Sequence, residues 1–121
     1  MGLDTSHDCW HGPYSSFNDW RRQVASAAGF DFDGLDDSKY EWCNFLGMWR
    51  NEPADPIEVL LVHSDCDGYL FQHVAERIAD RLEELLPALR GLDDFFAGPR
   101  TERFIAGLRR AVDEDEVVVF G

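Results

Sequence analysis

A small α+β fold is predicted by three observations: apolar residues at helical spacing in three segments, short apolar runs at positions 57–62 and 116–120, and turn signals between them. We expect a sheet of about three strands with about three helices packed on it, in the order β-α-loop-β-α-α-β. A chain of 121 residues can bury one hydrophobic core, so we interpret residues 1–121 as a single domain.

The first half of the chain is predicted to form a strand, a helix and a long loop. Residues 1–8 form the strand, and Pro13 begins an amphipathic helix that continues to Ala28, with Gly29 as its stop. Residues 30–56 have no regular spacing and combine acidic with aromatic side chains, which is typical of a lid or a binding loop.

The second half is predicted to alternate strands and helices. The apolar run 57–62 indicates a buried strand, and a long helix follows over roughly residues 71–90, which Pro87 bends or ends early. Thr101 is predicted to cap a third helix. Residues 116–120 are predicted to form a last strand.

The net charge restricts the class of partner. The chain has 24 acidic residues against 11 basic ones, for a net charge of −13. Contacts with a nucleic-acid backbone or an anionic membrane need clusters of Lys and Arg, so neither is expected as a direct partner. A small polar ligand or a host protein remains, and homo-oligomerisation is left open.

The location is predicted from the N-terminus and the cysteines. No secretion signal is visible at the N-terminus, no apolar run approaches transmembrane length, and three cysteines do not suggest a disulfide framework. We therefore expect a cytoplasmic protein.

Two polar segments are the candidate functional site: His7-Asp8-Cys9-Trp10-His11 (the 7–11 segment) and His63-Ser64-Asp65-Cys66-Asp67 (the 63–67 segment). If the first strand and the 57–62 strand are parallel neighbours, both segments lie just past the carboxyl ends of their strands. Ligands of open α/β sheets commonly bind there. We therefore expect the two segments to meet around a shared hollow that solvent can reach.

The residue types allow a metal ion or a small ligand at this junction. Imidazole, thiolate and carboxylate groups could hold a zinc-type ion, and the candidates are His7, Cys9, His11, His63, Asp65 and Cys66. Aromatic, hydroxyl and basic side chains could instead bind a nucleotide-like molecule, and the candidates are His7, Trp10, His11, Tyr14, Ser15, Arg21, His63, Ser64, Asp65 and Asp67. Each cysteine or histidine could equally be a buried structural residue.

Two further functions are left open by the sequence. Cys9 or Cys66 beside a histidine could form a nucleophile pair, or a bound metal could activate water, so a hydrolase is one alternative. The acidic runs at 31–37 and 113–116 could instead cover the basic groove of a host nucleic-acid-binding protein, although such runs are usually solvated faces. The residues do not decide whether the protein is an enzyme.

Several motifs resemble a family of small phage and prophage proteins. At the start of the chain they are Met1-Gly2-Leu3-Asp4, Ser6-His7, Cys9-Trp10-His11-Gly12, Tyr14-Ser15, Phe17 and Trp20-Arg21. In the second half they are Val62-His63-Ser64-Asp65-Cys66-Asp67-Gly68, the stretch from Ala79 to Pro87, and Phe104-Ile105 with Gly107-Leu108-Arg109-Arg110. The resemblance covers both ends and leaves out roughly residues 30–56.

What this resemblance implies is a setting rather than a mechanism: an accessory protein acting inside an infected bacterial or archaeal cell. Together with the polar segments, it favours a non-enzymatic binding protein that captures a small polar ligand or a metal. In an infected cell, such capture could sequester a signal molecule of host defence.

Overall fold

The computed structural model describes residues 2–35 and 53–121. Helices make up most of these residues and the strands are short, so the predicted small α+β fold is confirmed. The elements in chain order are β1 (Gly2–Asp4), a 3-10 turn (Ser6–Asp8), β2 (His11–Pro13), α1 (Tyr14–Ala28), a second 3-10 turn (Phe32–Gly34), α2 (Ile57–Val62), β3 (Gly68–Leu70), α3 (Gln72–Leu92), α4 (Ala97–Asp113) and β4 (Val118–Phe120).

Of the predicted irregular region at 30–56, only the two ends are described. Phe32–Gly34 forms a 3-10 turn, and Asp31 and Leu35 flank it. Most of the aromatic side chains of that region lie outside the described residues.

The strands form two antiparallel pairs, β1 with β2 and β3 with β4, rather than one sheet of three. One antiparallel bridge between Thr5 and Phe120 joins the pairs. Next to it, the amide of Gly121 donates to the carbonyl of Asp4 at 2.9 Å. The first and last strands therefore lie side by side.

The segment Ile57–Val62 is a helix, so its prediction as a strand is wrong, and with it the parallel pairing. Every residue of this helix except Glu58 is buried. A short apolar run buried on all sides has no periodicity that separates a strand from a helix. Asp55 precedes the helix by two residues, and its carboxylate accepts from the amide of Ile57 at 3.0 Å, which satisfies a free N–H group at the helix start.

The other helices follow their predicted positions more closely. α1 ends at Gly29, which has a φ of 87° and donates its amide to the last turn, as predicted. Pro87 does not end α3, which continues to Leu92. In residues 2–35 and 53–121, no helix has both the length and the apolar character to cross a membrane.

The core is centred on aromatic side chains between α1, α4 and the 7–11 segment. Trp20 lies between Trp10 and Phe104, with ring centroids 5.3 and 4.8 Å away. Its indole N–H donates to Thr101 Oγ1 at 2.9 Å in a fully buried position. Thr101 is therefore a core residue inside α4, and its predicted role as a helix cap is wrong.

Candidate functional site

The 7–11 segment is not extended, because His7 and Asp8 both adopt left-handed conformations with φ near 60°. His7, Cys9 and His11 therefore do not share one face, as they would in an extended segment. His7 turns toward the end of α4, where its Nε2 lies 3.0 Å from Glu116 Oε1 and 3.4 Å from Glu114 Oε2.

Cys9 packs in the core against α4. A Cβ atom on Gly107 would lie 2.9 Å from the Cys9 Cα and 2.9 Å from the His7 carbonyl oxygen. Burial raises the pKa of the Cys9 thiol to about 12. The Cys9 thiol is thus buried and protonated at neutral pH, which is the structural role that the sequence left open for each cysteine.

Trp10 is also a core residue. It is 1% exposed and lies 5.2 Å from the ring of Phe17. The guanidinium of Arg100 covers its ring at 4.9 Å. Trp10 is thus buried among its neighbours, and its predicted part in ligand binding would require them to move.

His11 is at the surface between two carboxylates. Its Nδ1 lies 2.8 Å from Asp4 and its Nε2 lies 2.7 Å from Asp8, which also accepts from Arg103. The hydrogen bonds with Asp4 and then Asp8 raise the pKa of His11. Both ring nitrogens are used in this ion-pair network, which connects the β1–β2 hairpin to α4 through Arg103.

His63 is buried at the end of α2. Its ring centroid lies 4.1 Å from that of Phe120, and its two nitrogens lie 2.8 Å from the Ser64 carbonyl oxygen and 2.7 Å from the Tyr69 carbonyl oxygen. Burial lowers the pKa of His63. Because both nitrogens lie within hydrogen-bonding distance of backbone carbonyl oxygens, His63 is fixed between the end of α2 and β3.

The rest of the 63–67 segment is a hydrogen-bonded turn. Ser64 Oγ donates to Asp67 Oδ1 at 2.8 Å and accepts from the amides of Cys66 and Asp67. Cys66 is exposed, and Asp65 accepts a hydrogen bond from Asn18 of α1 at 3.1 Å.

The two segments contact different parts of the molecule. Phe120 of β4 stacks on His63, and its neighbour Val119 donates its amide to Ser6 Oγ. The segments therefore lie on either side of β4. The cavity beside His63 is lined by no residue of the 7–11 segment. The expected shared hollow followed from a sheet edge that does not exist once residues 57–62 form a helix.

Arg21 is the feature that connects α1 to the 63–67 segment. It is 5% exposed, and its Nη1 donates to the carbonyls of Leu60, Leu61 and His63 at 3.2, 3.2 and 2.6 Å. These carbonyls end α2, where a cation is favoured by the helix dipole. Burial lowers the pKa of Arg21 to about 10, so it keeps its charge at neutral pH.

The charge of Arg21 has no carboxylate in direct contact among the described residues. Its Nη2 donates to Asn18 Oδ1, and its Nε is buried without a hydrogen-bond partner. Phe17 and Phe32 lie 4.6 and 5.2 Å from the guanidinium carbon. Asp65 is the acidic group whose charge favours the protonated form.

A cavity of about 400 Å³ opens beside this arginine. Four predicted ligand-binding residues line it: Arg21, His63, Ser64 and Asp65. Among the described residues, the cavity is also lined by Arg22, which the sequence suggests only as a positive edge of the pocket, and by residues that the sequence did not single out: Asn18, Phe32, Leu35, Leu61 and Val62. Asn18 could have been found from helical spacing, because it lies three residues before Arg21 and four residues before Arg22 on α1.

The remaining predicted residues lie away from this cavity. Tyr14 packs against the core from its edge, and Ser15 is exposed at the start of α1. Asp67 bonds to Ser64 rather than facing the cavity. The predicted ligand-binding set is thus divided between two regions.

The acidic loop proposed as an inhibitory surface is described only in part. Asp33 pairs with Arg22 at 2.8 Å, so one of its charges is compensated within the chain. Asp36 and Asp37 lie outside the described residues. In the second acidic run, Glu114 and Glu116 face His7.

Comparisons with known proteins add no relative: the chain matches no protein-family model, no curated protein and no solved structure.

Proposed function

We propose that the protein is a binding protein that captures a small anionic polar ligand in the cavity beside Arg21. The observation that carries this proposal is the buried guanidinium, which lines the cavity. Within residues 2–35 and 53–121, its charge is balanced by carbonyl and amide oxygens and, at longer range, by Asp65. A buried cation without a directly paired anion is costly. An anion bound in the cavity would compensate this charge.

The lining indicates what the ligand carries. Arg21 and Arg22 favour a carboxylate or a phosphate group, since guanidinium groups bind both strongly. Asp65 on the same wall repels a second negative charge and accepts hydrogen bonds, so the ligand also needs an N–H or O–H group. A nucleotide-like molecule or an amino-acid-like molecule has this combination.

Phe32 holds the two arginines in place at this wall. Its ring lies 5.2 Å from the guanidinium carbons of both Arg21 and Arg22. Cation–π contacts of this kind favour a fixed position for each charge. The ligand would therefore meet a preformed pair of cations.

The phage-type resemblance supplies the setting for this proposal. In an infected cell, a protein that binds a small anionic molecule without turning it over would lower the concentration of a host signal. The described residues support binding more than chemistry, since His63 is engaged by backbone carbonyls on both sides and the Cys9 thiol is buried and protonated.

Isothermal titration with inorganic phosphate, acetate and adenosine monophosphate tests the proposal. Arg22→Gln is the informative variant, because Arg22 lines the cavity but is exposed and makes one surface ion pair, with Asp33. Arg90→Gln is the matched control, since Arg90 is an exposed arginine paired with Glu102 elsewhere. Loss of a hydrogen bond to an anion should weaken binding by roughly tenfold or more in Arg22→Gln and leave Arg90→Gln unchanged.

Two results would contradict the proposal. One is the absence of saturable binding for all three probes. The other is equal binding by wild type and Arg22→Gln, which would place any observed binding elsewhere on the surface.

A further inference from the structure

A histidine and two glutamates from opposite ends of the chain meet beside the Thr5–Phe120 bridge. The nitrogen and oxygen atoms of His7, Glu114 and Glu116 all lie within 4.8 Å of one another. This cluster shares no residue with the cavity at Arg21. We propose that it binds one divalent transition-metal ion of the zinc type, with a coordination position left for water.

The distances fit such an ion. His7 Nε2 lies 3.0 Å from Glu116 Oε1 and 3.4 Å from Glu114 Oε2. Ligand atoms about 2.0–2.2 Å from a tetrahedral zinc ion are roughly 3.3–3.6 Å from one another. An ion therefore fits among these three atoms with small side-chain adjustments.

The imidazole is held in place independently of the carboxylates. The His7 side chain is only 9% exposed, although the glutamates that it contacts belong to an exposed acidic run. His7 Nδ1 is 2.7 Å from Ser6 Oγ, which in turn accepts from the Val119 amide at 2.8 Å. A histidine that ligates a metal typically has its other nitrogen fixed in this way.

A comparison with His11 shows why His7 is the ligand. The two carboxylates at His11 occupy opposite ring nitrogens, which is the arrangement of an imidazolium ion pair. At His7 both carboxylates converge on one nitrogen. A single cation between them can contact all three groups at once.

The local charge favours a cation. Glu114 and Glu116 alternate with Asp113 and Asp115, and the chain as a whole has a net charge of −13. One opposing cation is close, because Arg110 donates to the His7 carbonyl at 3.5 Å. Its bond is to the backbone rather than to the ligand atoms.

Isothermal titration of untagged protein with Zn²⁺ tests the proposal. We expect one ion per chain, and at least roughly tenfold weaker binding in Glu116→Gln and in His7→Asn. Even the loss of a residue that only hydrogen-bonds to a metal ligand typically weakens metal binding by about tenfold. Asparagine is chosen at position 7 because it tolerates the left-handed backbone there. Asp113→Asn and Cys66→Ser are the controls, and both should bind as wild type does.

A second measurement does not depend on any variant folding. Paramagnetic Co²⁺, titrated into ¹⁵N-labelled wild type, should first broaden the amide signals of residues 6–8 and 114–116. The proposal is overturned if Zn²⁺ does not bind saturably, if binding persists in His7→Asn, if it is lost in Cys66→Ser, or if Co²⁺ first broadens signals elsewhere.

Discussion

Replacing Gly107 by alanine should destabilise the protein, although alanine is the better helix former. Gly107 lies in α4, and an added Cβ would come within 2.9 Å of both the Cys9 Cα and the His7 carbonyl oxygen. Neither of these atoms is the end of a flexible side chain, so the 3-10 turn or the helix must move. Overpacking of this kind costs about 1–3 kcal/mol, and the gain in helix propensity offsets about 1 kcal/mol of it. Because two contacts with atoms that cannot easily move are violated at once, we take the upper end of the overpacking range. The net loss in the free energy of unfolding is then about 2 kcal/mol.

Gly91→Ala is the matched control. Gly91 lies in α3, and an added Cβ would meet no atom within 4 Å. The same substitution should therefore leave stability unchanged or raise it by about 0.5 kcal/mol. Urea denaturation followed by circular dichroism should separate the two midpoints by roughly 1 M. If Gly107→Ala is as stable as Gly91→Ala, the close approach of the 7–11 segment to α4 is not as described.

Four other predictions concern buried and titrating groups. Thr101→Val should lower the free energy of unfolding by about 1–3 kcal/mol in urea titrations, because the buried Trp20 N–H loses its acceptor; a smaller loss in a Trp20→Phe background would support this. Cys9 should react with iodoacetamide only after unfolding, as peptide mass spectrometry can show; labelling of the native protein would contradict its burial. The pKa of His11 is raised in the folded protein, so His11 should stabilise the protein at acidic pH. This stability should be lost as the pH rises from the unfolded-state pKa of His11 through its folded-state pKa. The pKa of His63 is lowered in the folded protein, so the free energy of unfolding should fall as the pH drops below the unfolded-state pKa of His63. NMR titrations that find both histidine pKa values shifted in the same direction would refute this contrast.

The helices could be predicted from the sequence where one face is apolar and the opposite face is polar. α1 has a continuous apolar stripe and a glycine stop, and both its start and end were predicted within a residue. Residues 57–62 have no polar face, so their periodicity carries no information, and β-branched composition favoured the wrong element. The Asp55-Pro56 pair before this helix is a start signal that could have corrected the prediction.

The candidate site could be predicted only in part. The chemistry of each side chain is visible in the sequence, whereas which side chains lie next to one another depends on the tertiary structure. Arg21, His63, Ser64 and Asp65 were expected to bind a ligand together, and they line one cavity. The sequence does not show that Arg21 caps the end of α2, since that contact depends on how the helices pack. The partners of His7 were unpredictable for the same reason, because they come from the other end of the chain.

The bridge between Thr5 and Phe120 has a consequence for folding order. The entropy of closing a loop grows with the number of residues it encloses, so a pairing between the two chain ends is among the last contacts to form. The edge of the β1–β2 hairpin at Thr5 is therefore covered only once β4 has formed its bridge to it. A ligand or ion that holds the two ends together would then act mainly on the unfolding rate, by slowing the separation of the strand that joined last.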